Sequence, residues 1–321
     1  MTDPEAGQNA PRASDITLRA CTLRACHDMA PAAWGALVPA GAALSQSATY
    51  GTVATGLGRA VERWQIAGPQ AVAWGTCQIL RRRGLRVILR GPAWDAQAPT
   101  DARLRRRVLG RLGRGLSVAT PEEAASGPGL VPLMTPRFQA RLALGPEDQM
   151  RAAMQGKWRN RLVKAEAEGL KVARLTGHAA EPELARLLAL DSAQAGARGY
   201  RSLGAGFLAG WAAVAPKDLW LYLARGRGTA DPLAMMLFLR HGDGATYHIG
   251  WSGVEGRQRH AHNLLLWRAM RDLAARGVHH IDLGDLDDER SPGLARFKLG
   301  CGAMPQKLGP TLWVIAPLAR L

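Results

Sequence analysis

The stretch that decides the fold begins Thr246-Tyr247-His248-Ile249-Gly250-Trp251-Ser252 and runs to Arg296-Phe297-Lys298. The first seven residues form an apolar and aromatic run of strand type that stops at Gly253. A polar loop follows, Glu255-Gly256-Arg257-Gln258-Arg259-His260. From Ala261 to Arg276 the apolar spacing predicts a helix with Leu264, Leu265, Trp267, Met270 and Leu273 mostly on one face, and Gly277 is placed to end it. Val278 to Leu283 reads as a buried strand leading into the acidic turn Gly284-Asp285-Leu286-Asp287-Asp288-Glu289. Just upstream, Asp243-Gly244 separates two apolar runs and marks a tight hairpin.

Moving outward, the motifs repeat one plan. A helix start at Gln46-Ser47-Ala48-Thr49-Tyr50 precedes strand candidates near 61–66, 71–80 and 85–89, the last closing at Arg90-Gly91-Pro92. A basic helix over about 101–112 and strand candidates near 116–118 and 130–133 follow, and Phe138 to Leu144 reads as a strand completing this first sheet. A second basic helix, about 147–169, carries Lys157-Trp158-Arg159-Asn160-Arg161. Next come a strand at 170–174, a helix at 181–195 and strands at 219–224 and 234–239.

These motifs, in this order, resemble the GNAT-like Fem family, whose members attach an aminoacyl or acyl group to an amine. Leu264-Leu265-Leu266-Trp267, Ile281-Asp282-Leu283-Gly284 and Arg296-Phe297-Lys298-Leu299-Gly300-Cys301-Gly302 carry the resemblance in the second half, and the Gln-Ser and Arg-Gly-Pro motifs carry it in the first. It implies an α/β (α+β) chain with a duplicated GNAT-like fold, two mixed sheets flanked by helices. The expected organisation is a tail at 1–14, a first GNAT-like domain at 15–145 and a second at 146–321 that carries the transfer site. One departure stands out. Asp285 follows Gly284 where the family has a second glycine, which puts the shape of that turn in question.

Composition narrows the classes. A chain of 321 residues with 47% hydrophobic content can build two real cores. No apolar run is long enough to span a bilayer, and the polar N-terminus has no apolar signal segment, so a cytoplasmic location is expected. Four cysteines without zinc spacing point to free thiols and no metal. The net charge of +16 is mostly arginine, with a cluster from Arg81 to Arg114. Its second part, around Leu104, Val108 and Leu112, has the spacing of a solvated helix face; the alternative is a track for phosphates.

Acyl transfer to an amine needs a neutral nucleophile, a stabilised carbonyl oxygen and alignment of the two. No nucleophile elbow is present, so direct attack is expected rather than a covalent acyl-enzyme. The resemblance implies that Lys298 handles the donor, and a cation there could stabilise the developing oxyanion. Asp282, at the end of a buried strand, could accept a proton or orient the amine; the alternative is a turn cap. Tyr247 falls where the family lines its acceptor groove, and Phe297 is the expected buried anchor that aims Lys298. Arg161 falls where the family meets the acceptor's phosphates, and Lys157, one turn away on the same face, strengthens such a clamp; the alternative is a solvated basic helix surface. Arg257 stands in the loop where acetyl-CoA enzymes hold a pyrophosphate, but His260 and His262 replace glycine-like positions there.

The expected activity is therefore transfer of an aminoacyl or acyl group to an amine, with a peptidoglycan precursor as the acceptor that the resemblance implies. No tightly bound cofactor is expected, and aminoacyl-tRNA or acyl-CoA is the donor substrate. Expected partners are a small-molecule or lipid-linked amine acceptor, with tRNA and an anionic membrane surface as further candidates. The alternatives are an acetyl-CoA-dependent N-acetyltransferase and a non-catalytic basic protein that binds nucleic acid or a membrane surface.

Overall fold

The computed structural model describes residues 21–198 and 204–320; the expected tail at 1–14 lies outside the described residues. Two mixed sheets organise the chain. The first contains β1 (Thr22–Ala25), β2 (Ala60–Ala67), β3 (Ala73–Arg82), β4 (Leu85–Leu89), β6 (Leu116–Thr120), β7 (Leu130–Met134) and β15 (Thr311–Val314), in the order β1-β2-β3-β4-β6-β15-β7, with the short β5 (Ala93–Trp94) on β3. The second contains β8 (Phe138–Ala143), β9 (Lys171–Leu175), β10 (Leu219–Arg225), β11 (Pro232–His241), β12 (Gly244–Ser252), β13 (His280–Leu286) and β14 (Met304–Lys307), in the order β14-β8-β13-β12-β11-β10-β9. In each sheet one central pair is parallel, β4 with β6 and β12 with β13. This is the expected architecture of two mixed sheets flanked by helices.

The sheets exchange strands across residue 145. Phe138–Ala143, expected to complete the first sheet, instead lies between β13 and β14 in the second. The C-terminal β15 returns to the first sheet between β6 and β7. The alternation of a strand fixes which residues share a face, here Ala140 with Leu142 on one and Gln139 on the other, but not which sheet receives it.

Three apolar cores follow from the helix faces. The helix Ala102–Leu112, N-capped by Asp101, buries Leu104, Val108, Leu109 and Leu112 against the first sheet. The helix Ala261–Ala274 buries Leu265, Leu266, Trp267, Met270 and Leu273 against the second, with Phe238, Tyr222 and Trp158. A third core joins the halves: Tyr50 and Val53 of helix Ala48–Gly56 pack with Phe207 and Trp211 of helix Gly204–Val214 and with Leu221 and Leu237 of the second sheet. Gly210 permits this approach, since a Cβ there would sit 2.9 Å from Val53 Cγ1.

Several elements differ from expectation. The basic helix expected over 147–169 is two helices, Glu147–Ala152 and Gly156–Ala167, because the chain breaks where Met154 is buried and Gln155 N donates to Gly300 O. The loop expected at 255–260 is largely a short helix, Val254–Gln258. Helices Pro31–Leu37, Gly204–Val214 and Pro292–Gly300 were not anticipated, their glycine and proline content masking helical periodicity.

The first-half motifs assemble into one buried network. Gln46 Oε1 accepts from Gln78 N (2.8 Å), and Gln46 Nε2 donates to Gln78 O and Leu89 O. Gln78 Nε2 in turn donates to Ser45 O and Ser47 O. A Cβ on Gly91 would meet Gln46 Nε2 at 2.5 Å, so the residue after Arg90 must be glycine. The network aims Arg90 out of the first sheet, where its guanidinium pairs with Glu122 and, across the junction, with Asp282 of β13. Removing one partner of such a pair leaves a buried charge uncompensated, at a cost of about 3–5 kcal/mol. Arg90→Met should lower stability by that order in urea unfolding, and adding Asp282→Asn should restore part of it; strict additivity of the two losses would deny the coupling.

Candidate active site

β12 and β13 run parallel for three pairs, Gly244 with His280, Ala245 with Ile281 and Thr246 with Asp282. Beyond these pairs the strands part. Each carries a bulge beside the fork. On β12, Leu237 pairs with Ile249 and Phe238 with Tyr247, which leaves His248 as the extra residue. On β13, Asp282 pairs with Arg141 and Asp285 with Gln139, so Leu283-Gly284 spans the shift. Bulges bend and twist their strands, and a pair of them on facing strands opens a wedge. Gly284 lies at φ +81°, the left-handed region that favours glycine, which settles the turn that Asp285 had put in question.

Lys298 closes the wedge. It lies on the helix Pro292–Gly300, is only 5% exposed, and its Nζ donates to Asp285 O at 2.7 Å. Burial pushes its ammonium below the ordinary lysine range, while Asp285 and Asp282 act in the opposite sense. The expected order of burial is reversed: Phe297, foreseen as the buried anchor, is only half-buried, with its ring 5.9 Å from Trp158 and 6.2 Å from His262. The reason is helical geometry, which turns Lys298 toward the bulge carbonyl and Phe297 toward the neighbouring helices. Cys301 donates its thiol to Lys298 O, and burial pushes that thiol up to about 12, so it is no ready nucleophile.

Asp282 lies at the junction of the two halves. Its Oδ2 accepts from Arg90, and its Oδ1 accepts from Gln139 and from Gly284 N. The bond from Gly284 N is the turn cap that stood as the alternative to a proton-accepting or amine-orienting role. It marks the last paired position before the fork and fixes the Gly284 turn. Behind it lie His241 and His280, which burial holds down to about 3 and about 4 and thus neutral at ordinary pH.

Tyr247 is half-buried at the fork, 5.5 Å from the Phe238 ring. A Cβ on Gly250 would fall 1.8 Å from Tyr247 Oη, so the phenol lies over the glycine backbone. Lys157 and Arg161 are exposed on the helix Gly156–Ala167, and Arg161 with Lys164 pushes down the His260 imidazole after the larger effect of burial. The basic face thus lies beside the loop that starts the helix Ala261–Ala274. In that loop His260 occupies the left-handed region (φ +51°), the conformation a glycine would supply, and His262 is bonded to Trp251 O. Arg257 is exposed and donates to Ser252 O, whereas Arg259 is tied to Glu168 and Glu255. The structure therefore gathers Lys298, Asp282 and Tyr247 at the fork and Lys157, Arg161 and Arg257 around the helix start.

Sequence reasoning did not find the cleft at the junction. It has a volume of about 880 Å³ and is lined by Val38, Ala43, Ser47, Thr52, Pro216 and His241 among others. It shares Ala42, Ala43 and His241 with the small cavity around Asp282 and Arg90. No local pattern could reveal it, because its walls come from segments far apart in the chain. Among the described residues there is no group of three or more His, Cys, Asp or Glu that could hold a metal ion, and no helix is long and apolar enough to cross a membrane.

Residues 152–299 match the acetyltransferase (GNAT) domain family. The structure is similar to the crystal structure of FemX, with a TM-score of 0.70 at 14% identity, covering 90% of this chain and 97% of that one. It is also similar to a conserved protein of unknown function from Bacteroides thetaiotaomicron VPI-5482, with a TM-score of 0.57 at 9% identity, covering 91% and 100% of the two chains. At these identities the likeness concerns the fold. No curated protein matches this chain in sequence.

The Gly284 turn gives a direct test of the geometry. A non-glycine residue in the left-handed region costs roughly 1–2 kcal/mol, and a Cβ there would meet Lys298 Nζ at 3.6 Å. Gly284→Ala should lower the melting temperature modestly, and the Lys298 ammonium should titrate at a changed pH by NMR. An unshifted titration would show that the bulge does not set the lysine environment.

Proposed function

We propose that this chain, an acyltransferase with a GNAT domain in a Fem-like fold, transfers an acyl or aminoacyl group from an activated donor to a primary amine by direct attack. The single observation that carries the reading is the buried Lys298 ammonium held at the fork of β12 and β13 by the Asp285 carbonyl. A cation fixed in a dry site stabilises charge that develops on the acyl oxygen, and it needs no reorganisation as the reaction proceeds.

The step is balanced without a covalent intermediate. The neutral amine attacks the acyl carbon, a C–N bond forms, and the oxygen, negative in the transition state, lies toward Lys298. As the carbonyl reforms, the bond to the leaving sulfur or oxygen breaks, and the proton lost by the amine passes through solvent to the leaving group. Asp282 acts here as a positioning residue that holds Gly284 and the fork.

The donor would lie along the wedge with its phosphates toward the start of the helix Ala261–Ala274. First-turn N–H groups of a helix lack intrahelical partners and favour anions. Lys157, Arg161 and Arg257 supply cations on the same rim, which supports a phosphate-bearing donor, either acyl-CoA or aminoacyl-tRNA. The GNAT domain favours acyl-CoA, while His260 and His262 crowd the loop where a CoA pyrophosphate would approach and favour the aminoacyl donor. The acceptor would be held in the 880 Å³ cleft at the junction, which adjoins the small cavity at Asp282, and a peptidoglycan precursor is the proposed acceptor class.

Donor use separates these readings. Thiol release from acetyl-CoA on adding an amine would identify acyl-CoA, and amide formation abolished by ribonuclease would identify aminoacyl-tRNA. In whichever assay is positive, Lys298→Met should lower kcat by about two to three orders of magnitude with folding intact. Burial lowers the Lys298 pKa, and the protonated form is the active one. Turnover should therefore fall as pH rises through that lowered pKa, and this limb should vanish from the residual activity of Lys298→Met. Unchanged kcat in the variant would sink the role given to the lysine.

A second prediction concerns the rim. Arg161→Ala should raise KM for the donor while leaving kcat nearly unchanged, because a phosphate clamp acts alike in ground and transition states. An equal rise on Arg103→Ala would show general charge alone at work.

A further inference from the structure

The arginine cluster between Arg81 and Arg114 splits in the structure. On the helix Ala102–Leu112 most of the arginines have partners: Arg105 is buried with its guanidinium 3.7 Å from the Trp94 ring centroid and paired with Glu123, while the less buried Arg107 donates to Arg320 O and the exposed Arg111 to Cys21 O. Arg81, Arg82, Arg83 and Arg86 at the β3–β4 turn meet Arg114 across a cleft of about 730 Å³.

We infer that this cleft is a binding site for a compact, multiply charged phosphate group such as a diphosphate, distinct from the transfer site. Among the described residues one carboxylate, Glu62, pairs with its arginines; Arg86 grips it with two N–H groups at 2.7 Å, and Arg81 adds a third at 2.8 Å. Although burial acts against ionisation, these contacts hold Glu62 down to about 2, so the carboxylate is occupied and charged. Among the described residues no hydrogen bond or ion pair engages the side chains of Arg82 or Arg83, and Arg114 faces only the Trp64 ring. Arg86 is 7% exposed and its Nε has no partner, so a buried donor remains unsatisfied at the cleft wall.

The backbone suits an anion as well. Gly58, Gly84 and Gly115 line the cleft in left-handed conformations with open space where a Cβ would be, so a ligand can approach the main chain closely. Planar guanidinium forks match phosphate oxygens two at a time. Arg86 is the second residue of β4 and Arg90 follows its end, four residues on, so at about 3.3 Å per residue the cleft is over a nanometre from the junction with Asp282. Burial of Arg105 and its pairing with Glu123 break the basic face of the neighbouring helix, which disfavours an extended nucleic-acid backbone. Exposed Leu57 and Leu116 flank the cleft, so the phosphate could belong to a lipid headgroup as well as to a free anion.

The test titrates the full chain with inorganic diphosphate by calorimetry, beside vesicles of phosphatidylcholine with and without phosphatidylglycerol and beside a single-stranded RNA. Saturable diphosphate binding is expected, weakened at least about tenfold in Arg82→Ala/Arg83→Ala, because each charge-assisted bond is worth more than the tenfold step of affinity. Transfer activity should be unchanged in that variant, and the charge-matched control Arg103→Ala/Arg290→Ala should bind normally. Binding to anionic but not neutral vesicles, competed by diphosphate, would assign the phosphate to a headgroup; diphosphate binding without vesicle binding would assign it to a free ligand. No saturable binding, an equal loss in the control, or RNA binding that diphosphate does not displace would overturn the proposal.

Discussion

The carboxylate of Asp282 is the point on which the rest of the structure depends. It is 7% exposed, and a polar group so buried is costly unless it is hydrogen-bonded. Those partners come from three directions: Arg90 from the first sheet, Gln139 from the neighbouring strand and Gly284 N from its own turn. One group therefore sets the relation between the sheets, the end of the parallel pairing and the bulge that follows. A residue engaged by three donors from three parts of the chain organises the site around it.

The fork illustrates how a sheet makes room for chemistry. A continuous ladder would satisfy every backbone group and leave no space for a substrate. Here the bulges at His248 and Gly284 interrupt the regular pairing of both strands, and the Asp285 carbonyl accepts from Lys298. Taking that ammonium out of water is costly; burial lowers its pKa, and the nearby Asp285 and Asp282 oppose the shift. The same principle governs Gln46 and Gln78, whose reciprocal amide bonds fix where Arg90 emerges.

Charge in this chain has two different physical roles. Where arginine lies on a helix that packs, its stem covers apolar surface and its head finds a ring, a carbonyl or a single carboxylate, as Arg105 does on Trp94 and Glu123. Around the β3–β4 turn, Glu62 pairs with Arg81 and Arg86, and among the described residues no carboxylate pairs with Arg82, Arg83 or Arg114. A sequence count of +16 merges these populations, and only their packing separates them.

Much was legible before the structure. The Gly277 stop, the hairpin at Asp243-Gly244 (whose turn residues are Gly242-Asp243) and the amphipathic helix after 261 rest on local rules of turn conformation and periodicity, which act within a few residues, while the Gln-Ser, Arg-Gly-Pro and Asp-Leu-Gly motifs were legible through the family resemblance. Lys298 could be singled out by motif, but its burial could not, because Arg296-Phe297-Lys298 carries no sign of which side of its helix meets the sheet. Tertiary contact decided that, as it decided which sheet received Phe138–Ala143, how the helix Gly204–Val214 formed despite its glycines, and that Asp282 faces Arg90 from 192 residues away. Local sequence fixes backbone preference and buried face; which distant edge, charge or cavity that face meets is set only when the chain closes on itself.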